Sequence, residues 1–270
     1  MEHLEGQQSV IAAIQACQRR IEVVLLSHGA HEEKFSEMLE VAAARDIPIR
    51  RVDRAELDAV AHGSTHGGVV AICSAKPRMS FDDLQEMLSH LGIPPLLLLL
   101  EGTEDARNLG FVIRSAEALG VHAVIIKKHL WDLDPIEIAR PASGAYERMP
   151  LVQIDTADPL KQLQAKGLQL YGCVADAKYT MYDVDLAQPS ILAIGGEKRG
   201  LSGAVRDICD RYITIPSLPG VSSLSLSHAS AIVMAEAMRQ RRPRSSEPLL
   251  QPALPPSHSD RVACCPTIKW

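Results

Sequence analysis

Residues 94–127 read PPLLLLLEGTEDARNLGFVIRSAEALGVHAVIIK, and the order of patterns within them decides the fold. An unbroken apolar run, Leu96 to Leu100, stops at Glu101 and Gly102. A polar turn follows, then GFVIRSAEALGV with helical spacing, then a second apolar run, HAVIIK. Strands buried on both faces read as continuous apolar stretches instead of alternating ones, which is how a parallel sheet covered by helices looks in sequence. LQLYGCVA at 168–175, SILAIGGE at 190–197 and RYITIPS at 211–217 read the same way. An α/β domain on a parallel sheet is therefore expected over residues 94–242.

Upstream, helical and strand patterns alternate on a smaller scale. VIAAIQACQRR places its apolar residues on one helical face, and EVVLLS, KFSEMLEVAAARD, IPIRRV and GGVVAIC follow in turn. Residues 1–76 thus read as a small α/β domain. At AKPRMS, Pro77 and the capping signal of Ser80 open a polar helix, FDDLQEMLSHL, and the linker is placed at 77–93. Beyond Arg242 the chain turns rich in Pro and Ser with no periodicity, so 243–270 is expected to be a disordered tail.

Composition narrows the function classes. The chain has 270 residues, 46% of them hydrophobic, enough for two cores. No window approaches the roughly 18 uninterrupted apolar residues of a membrane span, and the first thirty residues lack a signal-peptide core, so a cytoplasmic protein is expected. The six cysteines are scattered without a CxxC pair, which points to neither a disulfide framework nor a structural zinc. A net charge of −5 argues against non-specific coating of nucleic acid, which rests on phosphate neutralisation. Any RNA contact must be local, from clusters such as Arg19 and Arg20, Arg50, Arg51 and Arg54, Lys127 and Lys128, or Arg239, Arg241 and Arg242. Solvated helix ends are the competing account of each cluster.

Three segments put glycine and polar residues directly after an apolar strand, where α/β sheets bind ligands. Residues 96–121 carry Asn108 in the turn and Arg114 inside an otherwise apolar helix. Residues 191–202, ILAIGGEKRGLS, carry Gly195, Gly196, Glu197 and Gly200; adjacent glycines allow close backbone approach to a ligand, yet the run matches neither GxGxxG nor a Walker loop. Residues 213–241 run from a strand through a Pro and Gly loop and a serine-rich stretch into an amphipathic helix, where helix capping alone would account for the serines.

Taken in order, these segments resemble the three motifs of the SpoU (TrmH-like) family of the SPOUT methyltransferase superfamily. The first is similar to NLGxxxRxAxxxGV, the second to GxExxGL, and the third to IPxxGxxxSLNxSxAxxIxxxExxRQR. EIARPASGAYERMPL at 137–151 resembles the family's connecting segment, and GSTHGGVVAI at 63–72 resembles the end of its small L30e-like RNA-binding domain. The resemblance spans roughly residues 5–242. It implies a deep trefoil knot near the C-terminus, S-adenosylmethionine as cofactor, no metal, and a homodimer with its active site at the subunit interface. The activity implied is methylation of a ribose 2′-hydroxyl of structured RNA, with ribosomal RNA favoured over transfer RNA. By position, Cys173, Val174, Gly195, Gly196, Gly200, Ile215 and Leu224 would hold the cofactor, and Asn108, Arg114, Glu197, Ser223 and Ser225 would form the catalytic set. A guanidinium is a poor proton acceptor, so Arg114 is given the role of gripping an RNA phosphate and stabilising charge on the attacking oxygen.

One position departs from the family. Ser225 stands where the motif has asparagine, with one donor and a shorter reach in place of an amide. The competing reading is therefore a weak or inactive RNA-binding protein that retains the knot. A dinucleotide-dependent enzyme is disfavoured, because the glycine fingerprint and the acidic residue about 20 positions beyond it are missing.

Overall fold

In the computed structural model, residues 1–62, 66–127, 133–218 and 224–242 are described. The N-terminal unit is built on β1 (Glu2–Glu5), β2 (Ile21–Ser27), β3 (Ile49–Val52) and β4 (Val69–Cys73), with α1 (Gln7–Ala16), α2 (Glu32–Ala43) and α3 (Arg54–Val60) between them. Its strand order is β1-β4-β2-β3, in which β4 runs antiparallel to both neighbours and β3 parallel to β2. Alternation within β2 decides which helix covers which face. Val24 and Leu26 join Val10, Ile14, Phe35 and Met38 in one core, while Leu25 joins Leu57 and Val70 on the other side. β1 precedes the helix expected to open this unit, and its four residues are too few to show a pattern in sequence.

The larger sheet has seven strands, all parallel: β5 (Leu96–Leu100), β6 (Ala123–Lys127), β7 (Leu151–Ile154), β8 (Gln169–Cys173), β9 (Tyr179–Thr180), β10 (Ser190–Ile194) and β11 (Arg211–Thr214). The order is β7-β6-β5-β10-β8-β11-β9. The helices are α4 (Phe81–Ser89), α5 (Ala106–Ala118), α6 (Pro135–Ala142), α7 (Ala145–Arg148), α8 (Asp158–Ala165), α9 (Gly203–Arg206) and α10 (Leu226–Arg241). The leucine run of β5 is buried on both sides, as its lack of alternation required. Leu96, Leu98 and Leu100 face the core of α5, α6 and α10, and Leu97 and Leu99 face that of α4 and α8.

The stretch 77–93, read as a linker, is also a covering layer. Ser80 and Asp83 close a capping box on α4, and its Leu84 is fully buried on the large sheet. The two units pack directly on each other. Gly144, at φ 87°, lets α1 come so close that an added Cβ would lie 2.9 Å from the Ala12 Cβ. Beside it Arg19 is buried between Glu2 and Glu147, at 2.9 Å from each. That placement removes Arg19 from the basic clusters open to RNA. Lys128, Ser223 and the tail 243–270 lie outside the described residues.

Candidate active site

Strand order reverses between β5 and β10, and the loops leaving their carboxyl ends meet. Glu101, buried at the end of β5, accepts hydrogen bonds from the Ser202 N–H (2.8 Å) and hydroxyl (2.9 Å), fixing the far end of the Gly195–Ser202 loop. A Cβ on Gly196 would stand 2.3 Å from the Gly102 carbonyl oxygen, and one on Gly195 would stand 2.1 Å from the Gly200 carbonyl carbon. The paired glycines are thus demanded first by contact of chain with chain, where the sequence reading invoked a ligand. Glu101 escaped that reading because an acidic residue after a strand looks like ordinary turn polarity.

Beside this contact opens a cavity of about 660 Å³. Cys173, Val174, Gly195, Gly196, Gly200, Ile215 and Leu224, the expected cofactor residues, all line it. So do Thr214, Leu218, Leu226 and Ala229, which no motif position had singled out. The volume lies within the usual range for small-molecule sites, roughly 300–1,000 Å³. Its lining suits S-adenosylmethionine: aliphatic walls for a base, the hydroxyls of Thr214 and Ser217, the carboxylates of Asp176 and Glu197, and glycines that permit close backbone approach. Burial pushes the Cys173 thiol up to about 12, so it is a neutral wall and not a nucleophile. Among the described residues no group of three His, Cys, Asp or Glu could hold a metal ion.

The polar residues gather at the start of α10. Glu197 accepts the Leu226 N–H at 3.1 Å, tying the second motif to the third. Ser227 donates to Asn108 Oδ1 at 3.4 Å, tying the third to the first. Ser225 caps α10 by accepting the His228 N–H at 3.4 Å, and its hydroxyl lies 2.6 Å from His228 Nδ1 and 3.2 Å from the Ser227 hydroxyl. Asn108, Glu197 and Leu226 also border a small recess of about 80 Å³ with Asp105 and the ion-paired Glu104 and Lys198. Arg114 is not brought into this group. It is exposed on α5 and, among the described residues, has no hydrogen bond or ion pair.

Several arginines of the basic clusters serve the fold. Arg241 donates to the carbonyls of Leu186 (2.8 Å), Pro95 (3.2 Å) and Gln188 (2.6 Å), Arg239 pairs with Glu236 at 2.7 Å, and Arg50 pairs with Glu56. Arg54, 3.9 Å from Asp58, also borders a second cavity, about 570 Å³, in the N-terminal unit, with Lys34, His28, His31, His66 and Asp53.

A parallel sheet with a glycine-floored, cofactor-sized cleft at the carboxyl ends of β8, β10 and β11, next to its switch point, defines an α/β enzyme that binds a nucleoside-like cofactor. The model of the SpoU rRNA Methylase family matches residues 95–235, and that for RNA 2′-O ribose methyltransferase substrate binding matches 3–79. The chain belongs to the SpoU family and is an RNA 2′-O-ribose methyltransferase dependent on S-adenosylmethionine. It is 36% identical over 243 residues to the 23S rRNA (guanosine-2′-O-)-methyltransferase RlmB of Pseudomonas aeruginosa, covering 90% of this chain and 98% of that protein. With the enzyme of the same name from Shewanella oneidensis, identity is 34% over 238 residues, covering 88% and 96%. The crystal structure of the SpoU methyltransferase AviRb from Streptomyces viridochromogenes in complex with AdoMet aligns with a TM-score of 0.72 at 25% identity, covering 88% of this chain and 90% of that one. These comparisons lend no support to the reading as an inactive RNA-binding protein.

Proposed function

We propose that the substrate is a guanosine ribose in 23S ribosomal RNA, methylated in the cytoplasm by a knotted homodimer. The observation that carries this is the pairing of a catalytic unit with a substrate-binding unit over nearly the full length of relatives that bear that name. The packed α1–α7 junction supports a fixed distance between the RNA-holding unit and the cleft. Lys34 and Arg54 at the mouth of the N-terminal cavity offer donors for phosphate beside Asp53 and Asp58 in a chain of net charge −5. No helix among the described residues is long and apolar enough to cross a membrane.

Bound in the large cavity, the cofactor supplies an electrophilic methyl group. The chain's own contribution is positioning. Gly195, Gly196, Gly200, Cys173, Val174, Ile215 and Leu224 hold the cofactor, with Glu197 and Asn108 bracing the loops around it. The knot finds support in the hydrogen bond from Leu226 N–H to Glu197, which lays the third segment against the second. Homodimerisation finds support in Arg114 and the half-exposed Phe111, which share the outer side of α5, away from the cleft of their own chain. Across a dimer axis, Arg114 would reach the partner's site and meet an RNA phosphate there. Ser223 is assigned to the same catalytic set from its motif position.

Mapping ribose methylation in total RNA from cells with and without the gene tests the proposal. Loss of one 2′-O-methylguanosine in 23S rRNA is the expected result. Loss from transfer RNA alone would overturn the substrate assignment while leaving the chemistry intact.

A further inference from the structure

Where the family motif has asparagine, this chain pairs Ser225 with a residue the motif leaves unspecified. His228 stands three positions along, and its Nδ1 is 2.6 Å from the Ser225 hydroxyl oxygen, far closer than the 3.4 Å from the His228 N–H to that oxygen. Neutral imidazole can accept at Nδ1 only if its proton sits on Nε2, and the serine hydroxyl has one proton to give. Ser225 then donates to His228 and, with one lone pair taken by the His228 N–H, keeps the other free to accept. Ser227, whose hydroxyl oxygen lies 3.2 Å from that of Ser225, gives its own proton to Asn108, so the pair sits beside the polar edge that joins all three motifs. We propose that Ser225 and His228, at the place where the family motif has asparagine, together form the acceptor of the ribose 2′-hydroxyl proton, His228 acting through Ser225. This rests on the function proposed above.

The step balances. The ribose oxygen forms its bond to the methyl carbon as the carbon–sulfur bond breaks, with that electron pair staying on sulfur. The ribose proton passes to Ser225 Oγ while the proton of Ser225 passes to His228 Nδ1. Neutral imidazole becomes imidazolium, and the positive charge lost at sulfur reappears on the ring. His228 is exposed, so it can release that proton to water before the next turnover. Of the other groups collected here, a guanidinium stays protonated, an amide has no acid–base function, and the Glu197 carboxylate holds the Leu226 N–H through one oxygen. The charged groups packed around this end of α10 are Glu197 from the loop after β10, and Asp105 with the Glu104–Lys198 pair across the recess. On α10 itself the first charged residue beyond His228 is Glu236.

The test uses the full chain, tritiated S-adenosylmethionine and undermethylated 23S rRNA, with single-turnover rates measured from pH 5.5 to 9. The natural protein should lose rate about tenfold per pH unit on the acid side. His228→Ala should lower the rate at pH 8 by about 100-fold, the low end for general acid–base groups. It should also flatten the acid limb, with cofactor affinity by calorimetry unchanged within about threefold. In a Ser225→Asn background, His228→Ala should cost less than about threefold more, because without the Ser225 hydroxyl the ring has no relay to the ribose; a purely structural histidine would give additive losses and leave the acid limb in place. Independently of activity, the ring ¹⁵N shifts of His228 should report an Nε2–H tautomer with Nδ1 accepting, and Ser225→Ala should abolish that signature. If His228→Ala keeps the rate within threefold and retains the acid limb, the proposal is wrong and the substrate assignment stands. If the natural protein methylates no 23S rRNA, the substrate assignment falls, and an unchanged tautomer in Ser225→Ala would overturn the pair as well.

Discussion

Single residues separate binding from chemistry here. Arg114 touches neither the large cavity nor the recess of its own chain, so Arg114→Ala should leave cofactor affinity within about threefold. Methyl transfer to RNA should fall about 100- to 1,000-fold, the scale for losing one preorganised charge-stabilising group. Calorimetry and tritium incorporation on the same preparation check both halves, and equal transfer rates would remove Arg114 from the catalytic set. Lys76 makes a different kind of prediction. Burial beside Tyr146 lowers its ammonium from the ordinary range to about 8, with the charge of Glu147 only partly opposing this. Below pH 8 the folded state must hold the proton at a cost. Between pH 8 and 10.5 the unfolded chain binds more protons than the folded one, so stability from this group rises with pH across that window. Lys76→Met should therefore be more stable than the natural protein at pH 7, with the difference shrinking as pH approaches 10.5. Urea denaturation at several pH values measures it.

At the scale of elements, α5 and α6 show why part of the fold was legible and part was not. An added Cβ on Gly110 would lie 2.4 Å from the Ile138 carbonyl oxygen and 2.5 Å from Pro141 Cγ. Gly110→Ala should lower stability by about 1–3 kcal/mol through overpacking, although glycine to alanine in a helix is ordinarily favourable. A rise in melting temperature would show that the two helices can separate. The apolar runs of β5, β6, β8, β10 and β11 were readable because burial on both faces leaves no polar position. β7 carries Gln153 in a four-residue run and β9 has two residues, so neither rises above a loop in sequence. The residues that line the large cavity were legible by position in the motifs, since a strand end fixes where backbone must lie. Glu101 was not, because its partner Ser202 is 101 residues away, and neither was His228, whose role depends on a hydroxyl that the family motif lacks.

For the whole molecule, the junction of the two units rests on a buried charge pair. Arg19→Met leaves the Glu147 carboxylate buried with its partner gone, and should cost about 3–5 kcal/mol. Adding Glu147→Leu should recover much of that loss, a coupling that a double-mutant cycle in urea reads directly. Sedimentation velocity at micromolar concentration should find twice the 29.4 kDa chain mass, and a monomer would separate Arg114 from any shared site. The strand order carries a further consequence, for synthesis on the ribosome. The middle of the large sheet is β10, which inserts between β5, made some ninety residues earlier, and β8. Until residues 190–194 leave the exit tunnel, β5 and β8 have no strand to join them, and α10, the cover for β10, is later still. The small sheet, complete by Cys73, can form long before that. The nascent chain should thus show early protection from protease over residues 1–76 and an abrupt late one over the remainder. Such long-range pairing makes the catalytic unit the slow, chaperone-exposed half of the protein.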